Sequence, residues 1–261
     1  MLLNPRQQQL LEQIRQHGFV SVEALAQHFS VTMQTIRRDI NQLAEQNLLR
    51  RYHGGAGLPS SVENIAYNRR QVLNSDEKRS IATAVAAQVQ DGQSLILNIG
   101  TTTEEVARAL VQHRNLSVIT NNLNVAATLA DNPEHEVIVT GGVVRARDRG
   151  ITGEATIDFL RQFKVDIGII GVSSIENDGT LRDFDYREVK VAQTIIEQSR
   201  QVWLVADNSK FSREALVRLG HISQVDALFT DAPIPEALQA VIREAGTQVF
   251  ITAQVGAATA P

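Results

Sequence analysis

Apolar and polar positions follow two different periods along the chain, and the change falls between residues 57 and 94. In the first part the period is helical. Leu10, Leu11 and Ile14 form one stripe, Val22, Leu25, Ala26 and Phe29 a second, and Ile36, Ile40 and Leu43 a third at i, i+4 and i+7. Pro5 after Asn4 opens the first helix, because proline at the first helical position gives up only an amide that would be unpaired anyway, and Gly18 closes it. Ser21 can cap the second helix and Thr32 the third. The run NLLRRYHGGAGL (47–58) then places strand-like flanks around a His53-Gly54-Gly55 turn. Three helices and a hairpin predict a winged helix-turn-helix over residues 1–57.

Residues 58–74 mix polar and turn residues with no steady period and are expected to form a linker, with Arg69 and Arg70 solvated. A strong helix is predicted from Ser75, with Asp76 and Glu77 in its first turn, Ile81, Val85 and Val89 along one side and Gly92 beyond its end. From residue 94 the runs SLILNI, LSVITN, EVIVTG, VDIGIIGV, QVWLVAD, VDALFTD and TQVFIT read as strands. Helical patterns follow several of them, at about 104–113, 123–131, 154–163, 186–199 and 235–245. Buried β-branched strands interleaved with helices predict a mostly parallel α/β sheet covered on both faces, over residues 75–253, before a frayed tail at 254–261.

Composition narrows the class of protein. A chain of 261 residues with 43% hydrophobic side chains can fill a sizeable core, and the absence of cysteine excludes disulfides and thiolate metal sites. The apolar runs fall short of the roughly 20 residues that span a bilayer, and no export signal is expected, so a cytoplasmic protein is the expectation. Charge divides the chain again. The formal net charge is −4, yet residues 1–57 hold six basic against four acidic groups, and the rest nineteen against twenty-five, giving +2 and −6. A mildly positive end on an acidic body suits a small module that meets a polyanion.

The polar face of the third predicted helix gives that module its chemistry. With Ile36, Ile40 and Leu43 turned inward, Gln34, Arg37 and Arg38 project outward, and arginine or glutamine on a recognition helix can make bidentate bonds to base edges. Thr32, Met33 and Thr35 are expected near the DNA backbone. Arg50, Arg51 and His53 would place the wing on phosphates or in the minor groove. A double arginine alone reads first as a solvated helix face; the helix, turn, helix and basic wing together reverse that reading and favour DNA.

In a parallel sheet ligands bind beyond the carboxyl ends of the strands, where the second part collects its unusual residues. GTTTEE (100–105) follows a strand and opens a helix. Gly100 permits a tight turn, and the hydroxyls and freed amides of Thr101, Thr102 and Thr103 can donate to an anion at the positive end of a helix dipole. No Gly-Lys-Ser/Thr or GxGxxG pattern is present, so neither nucleotide hydrolysis nor dinucleotide binding is indicated. Other strand ends contribute Asn121, Asn122, Gly141 and Gly142. Lys210 is a candidate phosphate cation with Lys190 as a second, and Asp185 and Glu188 could accept hydrogen bonds from hydroxyls.

Arg6, Leu10 and Ile14, followed at fixed spacing by Thr32, Thr35, Ile36, Arg37, Arg38, Asp39 and Ile40, resemble the N-terminal signature of the DeoR family of bacterial transcriptional repressors. IGTTTEEVARAL, VITNNLNVA, GITGEATIDFLRQF, DIGIIGVSSIENDGTL and FDYREVKVAQTIIEQSR with VADNSKF are similar to the family's sensor half. The resemblance implies a winged helix-turn-helix that binds operator DNA, and because operators read by such modules are usually palindromic a homodimer or homotetramer is expected. Behind it the resemblance implies a sugar-phosphate sensor similar in fold to ribose-5-phosphate isomerase, with Gly100, Thr101, Thr102, Thr103 and Lys210 as effector phosphate contacts. It favours glycerol 3-phosphate as the inducer and genes of glycerol metabolism as targets. The family pattern often has aspartate two residues before the glycine, where this chain has Asn98 and so lacks the carboxylate.

The rival expectation is an isomerase-like enzyme with an attached DNA module, in which Asp185, Glu188 and Lys190 perform acid-base work on a phosphosugar. The sequence offers no nucleophile-base pair, and its six histidines are scattered without metal-ligand spacing. No cofactor or metal is expected.

Overall fold

The computed structural model describes residues 3–17, 19–46, 48–52, 55–57 and 67–252. The chain forms two compact units, Met1–Ile65 and Ala66–Pro261.

The first unit contains α1 (Pro5–His17), β1 (Phe19–Ser21), α2 (Val22–His28), α3 (Met33–Glu45), β2 (Arg50–Tyr52) and β3 (Gly55–Gly57). Each helix starts where a polar side chain satisfies amides that the helix itself leaves unpaired. Asn4 and Gln7 cap α1 reciprocally, each side-chain oxygen accepting from the other's backbone N–H at 2.8 and 3.2 Å. Ser21 accepts from Ala24 N at 3.1 Å, and Thr32 from Thr35 N at 3.2 Å. The three predicted apolar stripes meet in one core, where Leu10, Ile14, Leu25, Ile36, Ile40 and Leu43 are almost wholly buried. The strands form an antiparallel sheet in the order β1-β3-β2, with Arg50 opposite Gly57 and Arg51 opposite Ala56. His53 and the 254–261 tail lie outside the described residues.

The second unit begins earlier than the sequence suggests. Residues 67–74, expected as linker, include the helix α4 (Tyr67–Val72) and precede α5 (Ser75–Ala86). Six residues hold too little apolar surface to show a periodicity, so α4 depends on contacts made across the fold. The chain continues through β4 (Ser94–Leu97), α6 (Thr101–Leu110), β5 (Ser117–Thr120), α7 (Leu123–Leu129), β6 (Glu136–Val139), β7 (Val143–Val144), β8 (Ile151–Thr152) and α8 (Glu154–Leu160). Then come β9 (Val165–Gly171), β10 (Ser174–Ile175), β11 (Thr180–Asp183), α9 (Tyr186–Glu197), β12 (Ser199–Val205), β13 (Val217–His221), β14 (Ala227–Thr230), α10 (Glu236–Ala245) and β15 (Gln248–Ile251).

All seven runs read as strands join one sheet in the order β15-β14-β12-β9-β4-β5-β6, with every pair parallel. Side chains alternate between its faces, so near-continuous apolar runs feed two cores. Leu95, Leu97, Ile167, Ile169 and Phe229 pack with Ile81, Val85, Val106 and Leu110 of α5 and α6. Ile96, Ile170, Val202, Leu204 and Leu228 pack on the other face with Leu160, Val189, Ile195 and Leu238 of α8, α9 and α10. Two small antiparallel sheets, β10-β11-β13 and β7-β8, carry no equivalent apolar signal and were not foreseen.

Strand order places the site. From β4 the sheet grows one way through β5 and β6, and the other way through β9, β12, β14 and β15. The connections leaving the carboxyl ends of β4 and β9 therefore diverge, and a crevice opens between them, as expected at a topological switch point.

Candidate functional site

On the first unit, α3 presents a polar face opposite its buried Ile36, Ile40 and Leu43. Met33, Gln34, Arg37 and Arg38 are exposed. The hydroxyls of Thr32 and Thr35 lie 2.9 Å apart and are engaged at the cap, so these residues fix the start of the helix before anything outside is touched. Asp39, the acidic residue next to the arginine pair, is buried and bound inward by Arg6, whose Nε lies 2.6 Å from Oδ2, and by Gln7 Nε2 at 3.4 Å. The hydrogen bond to Asp39 holds the Arg6 guanidinium above its ordinary pKa. Arg37 and Arg38 have no ion pair among the described residues. The wing strand carries the Arg50 and Arg51 backbone beside β3.

On the second unit, a cleft opens at the β4–β9 switch point. It is lined by Asn98 to Glu104, by Gly171 to Ser173 beyond β9, and by Asp183, Glu188, Lys210 and Arg213. Tyr67 and Arg70 of α4 and Asp148 complete it. Gly100 caps α6 with φ +151°, a value L side chains rarely adopt, and offers no side chain to the first turn. Among the described residues the amides of Thr101, Thr102 and Thr103 have no acceptor, since the first bond of the helix runs from Glu104 N to Gly100 O at 3.1 Å. Three N–H groups at a positive helix end can seat an anion. The three hydroxyls are not equivalent. Thr103 Oγ1 is fully buried and donates to the carbonyls of Asn98 and Gly100, each at 2.8 Å, so it shapes the loop and is spent.

Three cations line this cleft with the amides. Lys210 sits in the turn Asn208–Phe211, capped by Asp207, and its Nζ is 3.6 Å from Asp207 Oδ2. Burial brings the Lys210 pKa down to about 8 although Asp207 opposes the shift. Burial raises the Asp207 pKa, but Lys210, Ser209 and Asn74 outweigh it and leave that carboxyl lowered. Burial also lowers the Arg213 pKa. Arg70 has a buried Nε without a hydrogen-bond partner, and its Nη2 is 4.0 Å from Asp148 Oδ2. Cations held with so little compensation favour an incoming anion.

Acceptors share the cleft. Asp183 accepts from Ser173 Oγ at 2.9 Å and Phe184 N at 2.7 Å, yet burial still raises its pKa. Burial, then the nearby Asp183, raise that of Glu188 against the pull of Arg145. Arg145 bonds Glu188, Asp148 (2.6 Å) and Asp185 (3.2 Å), and so ties the β7–β8 connection to the start of α9. A cleft with an amide and cation seat beside carboxylates matches a small molecule carrying one phosphate and several hydroxyls.

The fold brings Gly100, Thr101, Thr102, Thr103, Glu188 and Lys210 together, and leaves the other expected effector residues off the cleft lining. Asn122 is buried in the scaffold, capping α7 through Asn124 N at 2.9 Å and donating to Glu104 at 3.1 Å. Asn121 is buried and donates to Ile151 O at 3.1 Å. Gly141 O accepts from Thr156 Oγ1 at 2.7 Å. At Gly142 a Cβ would lie 2.3 Å from that same Oγ1, so the glycine serves packing. Asp185 caps α9 through Arg187 N at 2.9 Å. Lys190 points to solvent 3.5 Å from Glu154. These residues end strands or begin helices, as the sequence indicates, but sequence does not say which way each side chain turns. Arg70, Arg213, Arg145 and Asp183 were missed because they lie in a six-residue helix, irregular stretches or a short strand with no periodic or motif signal.

Among the described residues no His, Cys, Asp and Glu group could hold a metal ion, and no helix is long and apolar enough to cross a membrane. Asn98 lines the cleft with an uncharged amide, its Oδ1 accepting from Ile99 N at 2.8 Å.

Comparison with known proteins follows the two units. Residues 6–62 match the DeoR-like helix-turn-helix domain, and residues 73–232 match the DeoR C-terminal sensor domain. The chain is 52% identical over 235 residues to the glycerol-3-phosphate regulon repressor of Escherichia coli (strain K12), covering 90% of this chain and 93% of that protein. It is 47% identical over 246 residues to the protein of the same name from Haemophilus influenzae, covering 94% and 96%. Among solved structures, ribose 5-phosphate isomerase A from Methanocaldococcus jannaschii aligns at 16% identity with a TM-score of 0.40, over 53% of this chain and 55% of that one.

Proposed function

Starting from a chain that belongs to the DeoR family of transcriptional repressors, we propose that it represses genes of glycerol metabolism and leaves its operator when glycerol 3-phosphate occupies the cleft between β4 and β9. The observation that carries the reading is the composition of that cleft: three unpaired amides at the start of α6, with Lys210, Arg213 and Arg70, beside the carboxylates of Asp183 and Glu188. The phosphate would sit on the amides and cations, and the glycerol hydroxyls would donate to the carboxylates. Relatives named for the glycerol-3-phosphate regulon favour this ligand among small phosphorylated polyols.

On DNA, Gln34, Arg37 and Arg38 would read base edges in the major groove, with Thr32, Met33 and Thr35 near the backbone and Arg50, Arg51 and His53 on the wing. Two modules on a palindromic site require at least a homodimer. Inducer and operator then oppose each other through a coupling free energy of about 1–3 kcal/mol, and linkage makes the effect reciprocal.

The test is operator binding followed by fluorescence anisotropy while glycerol 3-phosphate, glycerol, inorganic phosphate or ribose 5-phosphate is added. Release by glycerol 3-phosphate at concentrations where the other three do nothing is the expected result. Release by ribose 5-phosphate alone would assign the cleft to a different phosphosugar.

A further inference from the structure

The helix α4 begins at residue 67, two residues after the first unit ends, and both of its ends are tied to groups of the anion seat. At its start, Tyr67 Oη donates to Glu104 Oε2 at 2.7 Å, and Glu104 directly follows the three free amides of α6. The same Oη accepts from Asn124 Nδ2 at 2.8 Å and Gln71 Nε2 at 2.6 Å, so the phenol sits at the centre of a polar cluster. Beyond its end, Asn74 Nδ2 donates to Asp207 at 2.9 Å, and Asp207 is the carboxylate that holds Lys210. Lys78 Nζ donates to the carbonyls of Arg70 and Leu73, closing the last turn of α4 onto α5.

Between these tethers Arg70 faces the cleft with an unpartnered, buried Nε. Its nearest carboxylate, Asp148, is already engaged by Arg145 at 2.6 Å and stands 4.0 Å away. An anion on the α6 amides would offer Arg70 and Lys210 the partner that Asp148 and Asp207 supply poorly. Asp207, which holds the far end of α4 through Asn74, is thus also the carboxylate that Lys210 would leave for an anion in the seat, and Arg70 of α4 itself gains a partner there.

Resting on the reading above, we infer that α4 is the element through which the inducer acts on the DNA-binding unit, with Arg70 sensing the anion and Tyr67 as the positioning residue that fixes the helix to the seat. A residue that only binds inducer changes the concentration at which release occurs. A residue that couples changes how far operator affinity falls once the site is full. The two roles separate at saturation.

The experiment measures operator affinity of the full chain with and without saturating glycerol 3-phosphate, for the wild type, Tyr67→Phe and Arg70→Gln, with melting temperatures as a folding control. In the wild type a fall of about 5- to 150-fold is expected. In Tyr67→Phe the operator affinity without inducer stays at the wild-type value, and in both variants the fall at saturation shrinks to less than about a third of the wild-type factor. A wild-type fall in both variants would overturn the inference while leaving the assignment of the cleft intact. No fall in the wild type itself would remove the assignment and the inference together. If Tyr67→Phe lowers the melting temperature markedly, Gln71→Ala, which removes one donor to the same phenol from an exposed position, supplies the second reading.

Discussion

Arg6 turns the carboxylate of Asp39 inward, with 2.6 Å between Nε and Oδ2, and so keeps it from neutralising Arg37 and Arg38 beside it on α3. An ion pair within the first unit thus preserves positive charge on its outer face. Arg37→Ala and Arg38→Ala are each expected to weaken operator binding by about 1–3 kcal/mol without lowering the melting temperature. Arg6→Ala should act differently, through about 1 kcal/mol of stability, because its partner is buried but the guanidinium is partly exposed. Anisotropy titrations paired with thermal melts check both; full operator affinity in both α3 variants would count against the helix as the reading element. The logarithmic salt slope should also become shallower by about one for any arginine that contacts a phosphate.

Lys210 and the amides it faces are expected to set inducer affinity. Lys210→Gln should weaken glycerol 3-phosphate binding by about tenfold or more, which is about 1.4 kcal/mol, and give a repressor that holds its operator in the presence of inducer. Thr101→Pro, which removes one of the three free amides at the first helical position, where proline is tolerated, should do the same with little loss of fold. Calorimetric titration of the two variants tests this, and wild-type inducer affinity in both would move the phosphate elsewhere.

Inducer affinity should depend on pH in a definite direction. Burial places the Lys210 pKa near 8, with Asp207 opposing and Arg213, Lys78 and Arg70 reinforcing the shift. A bound phosphate favours the charged lysine, so binding is strongest while Lys210 is protonated and weakens as pH rises through about 8. Toward pH 6 the phosphate loses its second charge, since that ionisation lies near 6, and affinity declines again. The window between these limits should disappear on its alkaline side in Lys210→Gln. The unliganded protein obeys the opposite sign: a lowered lysine pKa means the unfolded chain binds more protons between about 8 and 10.5, so stability gains from this group as pH rises through that range. Titrations at pH 6, 7, 8 and 9 with melts at the same values distinguish the two slopes.

Gly142 tests the distinction between packing and recognition. A Cβ there would lie 2.3 Å from Thr156 Oγ1 and 2.9 Å from Thr152 O, at φ +136°. Gly142→Ala should therefore cost about 2 kcal/mol or more in stability. Where the variant folds, its inducer affinity should match the wild type. Chemical denaturation with a binding measurement below the transition shows which property changed.

The amino-acid sequence by itself determined the two-part organisation, the three capped helices of the first unit and all seven strands of the parallel sheet. These follow from local rules: helix periodicity and caps act within about four residues, and a strand buried on both faces must be apolar nearly throughout. The GTTTEE segment was legible as a turn into a helix for the same reason, since a glycine and a helix start lie within six consecutive positions. Sequence did not reveal that the ends of β4 and β9 lie side by side, because that neighbourhood comes from strand order across some 70 residues. Only that packing decided that Arg70, Asp183 and Arg213 join the seat while Asn121, Asn122, Gly142, Asp185 and Lys190 support or stand clear of it. It also made α4 part of the second unit. A side chain's type is fixed by the chain, but the direction in which it points is fixed by what the rest of the molecule leaves open to it.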